Sequence, residues 1–341
     1  MATGAAAAVA PLAAPPGLPG WCEAVVIVPD LAPWIETLTR VGGWEVLDRT
    51  HGETSLNRFW ALPETARCDQ VLMRNIGTRT GWLRLVRVEG AEQRQIRPDD
   101  QAWDVGGVQA LDIRVLDIEA TRQSLHARGW RAQSDPVRYK TYGVEVIQWA
   151  PVSPDGVRLS LIQRIAPPLV GWSELKHWSR VANAAITVDD MAASQAFFGG
   201  VLGLSAASHS NTAGGDGPNV MGMPWSFERR TPLEIVGYTG AGAAVGYSGV
   251  DGGAIELIAL PEARGRNFAV DAHPPNFGVA ALRIRVADAA AAANALAGRG
   301  AALAAPLQTL TIPPYGALPA FAVTAPDGVR LEIFSRVDFV P

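Results

Sequence analysis

Alternation of apolar and polar positions, the two-residue period of a half-buried strand, recurs along this chain in a fixed order. SLIQRI follows Leu159 and EIFSRV follows Leu331, and each is preceded by the same six residues, Pro154-Asp155-Gly156-Val157-Arg158-Leu159 and Pro326-Asp327-Gly328-Val329-Arg330-Leu331. Upstream of both, the period changes to that of a helix. GVQALDIRVLDIEATRQSLHARGW (107–130) matches GVAALRIRVADAAAAANALAGRGA (278–301). Each reads as a strand, an Asp at the helix start, an amphipathic helix, and Arg-Gly as the stop. A Tyr-Gly pair, Tyr142-Gly143 or Tyr315-Gly316, then precedes the last strands.

A second pair of segments follows the same plan. EAVVIVPDLAPWIETLTRVGGWEVL (23–47) aligns without gaps on NAAITVDDMAASQAFFGGVLGLSAA (183–207), placing Asp30 on Asp190 and Gly43 on Gly203. Leu31, Trp34, Leu38 and Val41 recur at helical spacing; Met191, Phe197 and Phe198 supply the matching core face. The chain thus contains four modules in the order A, B, A′, B′, each a strand, a helix and about three strands. The expected fold class is α+β. The expected organisation is a flexible N-terminal tail (1–20), an N-terminal domain of two βαβββ modules (21–168) and a C-terminal domain of two more (169–341), joined at Pro167-Pro168. Residues do not reveal which modules pair.

Composition narrows the class. The 341 residues carry a net charge of −4, 48% are hydrophobic and only 18% charged, which disfavours recognition of nucleic acid by phosphate neutralisation. No apolar run is long enough for a membrane-spanning helix. Cys22 and Cys68 are too few for a disulfide framework and lack zinc-ligand spacing. Residues 1–20 contain no Lys or Arg, unlike a secretory leader, so a cytoplasmic location is expected. The Gly-rich stretches 214–217 and 240–244 do not open a helix after a strand, so no dinucleotide site is expected.

The repeated βαβββ module, with its first strand leading to Asp and its PDG-initiated last strand, resembles the vicinal oxygen chelate superfamily. That group includes glyoxalase I, bleomycin-resistance proteins and type I extradiol dioxygenases. The resemblance covers nearly all the chain after residue 20. It implies curled sheets with a hollow on one face, and a divalent metal that stabilises an enolate-like anion. It also implies ligand positions: Glu23, Ala110, Asn183 and Ala281 on first strands, and Arg84, Ser160, Glu256 and Glu332 on last strands. None is histidine, so the two-histidine, one-carboxylate set of the dioxygenases is not expected.

Within this frame the C-terminal half is the richer candidate. Glu332, Glu256 and Arg283 form the expected polar centre, with His209 and Tyr315 as further catalytic candidates. Asn183, Arg285 and Trp225 are expected to bind substrate, and Trp103 and Trp149 to line the pocket. A metal, if bound, would use Asn183, Glu256 and Glu332 and would be Mg, Mn or Fe; a cofactor-free site with Arg283 in the metal's place is the other reading. The expected function is an enzyme of lyase, isomerase or ring-cleaving type. Its substrate would be small, oxygenated and largely apolar: aromatic, or polyketide- or terpenoid-like. The alternative is a metal-free protein that sequesters an aromatic or antibiotic-like compound. Partners are a small molecule, not nucleic acid or membrane, with a monomer or homodimer as the assembly.

Overall fold

In the computed structural model, residues 17–141, 143–212, 219–223, 232–241, 252–263 and 265–335 are described. Module A contains β1 (Glu23–Ile27), α1 (Leu31–Arg40), β2 (Trp44–Glu53), the short α2 (Leu56–Phe59), β3 (Arg67–Asn75) and β4 (Trp82–Glu89). Module B contains β5 (Ala110–Val115), α3 (Ile118–His126), β6 (Val137–Thr141), β7 (Val144–Trp149) and β8 (Leu159–Ala166). Module A′ has β9 (Trp178–Thr187), α4 (Met191–Gln195) running on into a π-helical turn (Ala196–Val201), β10 (Ser205–Thr212), β11 (Leu233–Thr239) and β12 (Ala254–Ala259). Module B′ has β13 (Gly278–Val286), α5 (Ala289–Gly298), β14 (Leu303–Ile312), β15 (Gly316–Thr324) and β16 (Arg330–Ser335).

Each module helix starts for the same reason. Asp30, Asp117, Asp190 and Asp288 are extended residues whose carboxylates accept from the first helical N–H groups, at Ala32, Ala120, Ala193 and Ala290. The glycines after the A and A′ helices, Gly43 and Gly203, lie at φ 71° and 72°, where a side chain is disfavoured. The PDG turns carry a further duty. Asp155 Oδ2 accepts from the Trp34 indole of α1, and Asp327 Oδ2 accepts from the Ser194 hydroxyl of α4. The turn of each B-type module therefore holds the helix of the A-type module in its own sequence half.

The sheets are assembled differently. One eight-stranded sheet has the order β14-β15-β16-β13-β1-β4-β3-β2, and the other β10-β11-β12-β9-β5-β8-β7-β6. Module A thus shares a curled sheet with B′, and B with A′; neither sequence half closes a sheet of its own. The sequence left the pairing of modules open, and the sheet order supplies it. The first strands make the join: β1 runs antiparallel to β13 and β5 antiparallel to β9, at the centre of each sheet.

One face of both sheets packs on the helices in a large shared core that includes Trp34, Leu38, Leu85, Leu111, Leu161, Trp178, Phe198, Leu257 and Leu331. The other face of each sheet is concave. The expected tail also needs correction at its end. Leu18 is buried, with its N–H bonded to Leu202 O and its carbonyl accepting from Ala241, so packing begins before residue 21. No helix of the described residues is long and apolar enough to cross a membrane.

Candidate functional site

Strand alternation decides what each hollow contains. In the A–B′ sheet, Glu23 of β1 lies opposite Arg283 of β13, which lies beside Glu332 of β16. In the B–A′ sheet the corresponding row is Asn183 of β9, Asp112 of β5 and Ser160 of β8. A second row completes each floor: Leu72, Arg84, Val25 and Ala281 in the first, Gly237, Glu256, Ala185 and Ala110 in the second.

The A–B′ hollow is closed by ion pairs. Arg84 donates to both oxygens of Glu23 at 2.8 and 3.2 Å, and Arg283 donates to Glu23 Oε1 at 2.7 Å and to Glu332 Oε2 at 2.8 Å. Trp60 and Arg330 donate to Glu332 Oε1 at 2.7 and 3.0 Å, and the Tyr315 hydroxyl donates to Glu23 Oε2 at 3.0 Å. Every carboxylate oxygen is therefore paired. Glu23, Arg84 and Arg283 are 0% exposed and Glu332 2%. Burial pushes the Glu23 carboxyl up, but Arg84 and Arg283 outweigh it and hold the group at about 2. Two donors, Arg283 Nη2 and Gln70 Nε2, find no acceptor among the described residues. Around the network the concave face is filled with apolar side chains, among them Leu72, Leu310, Ile312 and Phe334.

The B–A′ hollow has the opposite character. Two of its floor positions are smaller: Gly237 and Ala185 stand where the other sheet has Leu72 and Val25, while Ala110 matches Ala281. Its walls are apolar, with Trp103, Met223, Ile235, Ile258 and Leu260 in one cluster with Ala110 and Ala185. Its polar groups are mostly acceptors. Asn183 Nδ2 donates to Asp112 Oδ2 at 2.9 Å, while the buried Asn183 Oδ1 has no partner among the described residues. Burial pushes Glu256 up, Asp112 adds to this and Arg114 opposes it, leaving the carboxyl at about 8. Asp112 is raised too, chiefly by burial. Burial therefore disfavours the charged form of both carboxyls, and the Asp112 charge further disfavours that of Glu256. Further along the face, Tyr139 donates to Gln148, and Gln148 to Ser160 at 2.7 Å.

The sequence-predicted residues fall apart accordingly. Glu332, Arg283, Tyr315 and Arg285 belong to the A–B′ sheet; Glu256 and Asn183 belong to B–A′. No shared hollow unites Asn183, Glu256, Arg283 and Glu332, and this corrects the expected polar centre. The reason is the crossed module pairing. Arg285 donates to Arg79 O and lies 5.7 Å from the Trp82 ring centroid, away from Glu256. His209 is in register with Val236, whose side chain belongs to the helix-side core, so His209 occupies the face opposite Glu256, 55% exposed and 3.1 Å from Glu234. Trp149 is likewise in the helix-side core, whereas Trp103 does border the hollow. Trp225 lies outside the described residues.

Asp112 and Arg283, not Ala110 and Ala281, face Asn183 and Glu23 across the central join. Asp112 and Arg114 were visible as polar residues alternating with Leu111 and Ile113; that Asp112 meets Asn183, and that the Arg114 charge acts on Glu256, required the sheet order.

Metal fit can be judged from the donors. In A–B′ the guanidiniums of Arg84 and Arg283 fill the space between the two carboxylates. The expected set of Asn183, Glu256 and Glu332 is split between sheets. Among the described residues no three His, Cys, Asp or Glu side chains converge as a metal site. The residues present do not fit the two-histidine, one-carboxylate centre.

The glyoxalase/bleomycin resistance protein/dioxygenase superfamily model matches residues 21–161 and 180–333. No curated protein matches. Among solved structures, glyoxalase I from Zea mays is similar with a TM-score of 0.56 at 15% identity, covering 93% of this chain and 92% of its own. A Bacillus subtilis subsp. subtilis protein provisionally described as a dioxygenase gives 0.57 at 14% identity, covering 95% and 86%. At such identities the likeness concerns the fold. With two matched regions that together span most of its length, the chain belongs to the glyoxalase/bleomycin resistance protein/dioxygenase superfamily.

Proposed function

We propose that this protein is an enzyme that moves a proton on a small, oxygenated, largely apolar substrate held in the B–A′ hollow. The observation that carries the reading is Glu256: a carboxyl held at about 8, on a floor of small residues, with no ion pair among the described residues such as those that close the other hollow. A carboxyl poised near neutral pH serves both as general base and as general acid.

The chemistry follows from the groups around it. Glu256 as carboxylate takes a proton from the carbon beside a substrate carbonyl. The C–H electron pair moves into the adjoining C–C bond, the carbonyl π pair moves to oxygen, and an enolate-like anion forms. Arg114, whose positive charge acts on both Glu256 and Asp112, supplies the field that stabilises the anion. Protonated Glu256 then returns its proton to a neighbouring atom, giving an isomer or, with a leaving group present, an elimination product. Asp112 keeps Glu256 high, and Asn183 holds Asp112 in place. No step needs an oxidant.

Sequestration without turnover is the second reading, favoured by the apolar wall of Trp103, Met223, Ile235 and Ile258. A panel of hydroxyketones, α-keto compounds and catechols, assayed for binding and for product, separates the two. Ala185→Leu fills the floor beside Glu256. It is expected to abolish ligand binding while costing about 1–3 kcal/mol of stability, leaving a cooperative unfolding transition. Undiminished binding in a folded Ala185→Leu protein would place the ligand elsewhere and end the proposal.

A further inference from the structure

At the inner end of the B–A′ concave face, Asn183 Oδ1, Asp112 and Glu256 offer acceptors in the field of the Arg114 charge. The other end carries a second cation. On β8, Gln163 points to the helix side, where its Oε1 accepts from Ile118 N at the start of α3. Arg164 therefore turns to the concave side, as Ser160 and Ile162 do. Its neighbour in register on β7 is Val146, which in turn faces Tyr139 on β6.

Arg164 is half-buried, and its Nε is buried without a hydrogen-bond partner among the described residues. Among the described residues no carboxylate acts on it, and burial shifts it downward. This sets it apart. Arg84, Arg97, Arg158, Arg180, Arg283 and Arg330, the buried arginines, each meet a carboxylate. A partly desolvated guanidinium with no counter-ion among the described residues, on the concave side of the sheet, suits an anionic group that arrives with the ligand.

We infer that the B–A′ hollow takes an acid: a molecule with a hydroxyl donor for Asn183 and the carboxylates, an apolar middle, and a carboxylate at its far end for Arg164. This rests on the reading of the hollow given above. Four residues of strand separate Ser160 from Arg164, about 13 Å at ~3.3 Å per residue, and an extended arginine shortens the span, so donor and anion stand on the order of 10 Å apart. That separation also keeps the ligand's charge away from Glu256 and Asp112.

Calorimetric titration of the full chain with 3-(4-hydroxyphenyl)propanoate and with its primary amide tests the inference, since the two probes share a shape and differ in charge. Wild type is expected to prefer the acid by about 10-fold or more. Arg164→Met should erase the preference while leaving amide affinity nearly unchanged, and Arg164→Lys should restore part of it. Asn183→Ala should weaken both probes. If the acid preference is missing, or survives in Arg164→Met, while Asn183→Ala still weakens both, the inference fails and the reading of the hollow stands. If Asn183→Ala changes neither, the reading of the hollow fails. Failure of wild type to bind the acid at millimolar concentration also overturns the inference.

Discussion

Arg283→Met is expected to lower stability by about 3–5 kcal/mol, because it leaves buried carboxylates without their shared cation. Native domains are stable by only about 5–15 kcal/mol, so this single change threatens the fold. Arg283 bridges Glu23 of the first module and Glu332 of the last, residues 309 positions apart in sequence, and all three are sealed from solvent. Met approximates the length of the side chain but offers Glu23 Oε1 and Glu332 Oε2 no donor. Denaturant unfolding followed by tryptophan fluorescence measures the loss. Should Arg283→Met fail to fold, Tyr315→Phe gives a milder reading. It removes only the hydroxyl that donates to Glu23 Oε2 and should cost about 1–3 kcal/mol. The sign of the pH dependence is fixed as well. Glu23 sits at about 2 when folded and near 4.5 when free, so the folded state binds fewer protons between these values. Its stabilising contribution is therefore present above about 4.5 and is lost as pH falls toward 2. Loss of stability below about 0.5 kcal/mol in Arg283→Met would show that the A–B′ network is not what closes that hollow.

Glu256→Gln is expected to act in the opposite sense on stability and strongly on turnover. A positioned general acid–base group is worth about 10²–10⁴-fold in rate, and the amide can neither take nor return a proton. Ligand affinity should be retained, since Gln fills the same space. The folded-state value near 8 lies above the usual 4.5, so the folded protein binds more protons than the unfolded chain between them. Wild type consequently loses stability as pH rises from about 4.5 to 8, and the Gln variant is spared that loss. Thermal unfolding at pH 5 and pH 8 should show the variant gaining on wild type at the higher pH. Wild-type turnover limited by Glu256 as base should rise through the same range. A Gln variant that keeps turnover, or that shows no relative gain in stability at pH 8, would remove Glu256 from its role.

Much of this molecule was legible in its sequence because local chemistry repeats. The Asp that starts each helix, the glycines at φ near 70°, and the PDG turns gave module boundaries that the structure matches. Sheet partnership was not legible. A backbone edge pairs equally well with a following module or a distant one, and nothing in β1 announces β13. That gap misdirected the site. Glu332 and Glu256 occupy repeat-equivalent positions on the last strands of their modules and so looked like partners, yet each faces the residues of a different sheet. His209 was misjudged for a smaller reason. One step of alternation on β10 decides the face, and its register with Val236 sends it to the helix side. Asp112 carried a signal that could have been used: a carboxylate between Leu111 and Ile113 on a central strand has to face the concave side.

Methyl-resolved NMR of the protein during titration with a bound member of the ligand panel asks most directly which hollow is the site. Ile235, Ile258 and Met223 border B–A′, while Leu72, Leu310 and Ile312 border A–B′. Saturable shifts are expected at the first three and none at the second three; shifts at Leu72, Leu310 and Ile312 with Ile235 and Ile258 unmoved would put the ligand in the A–B′ hollow instead.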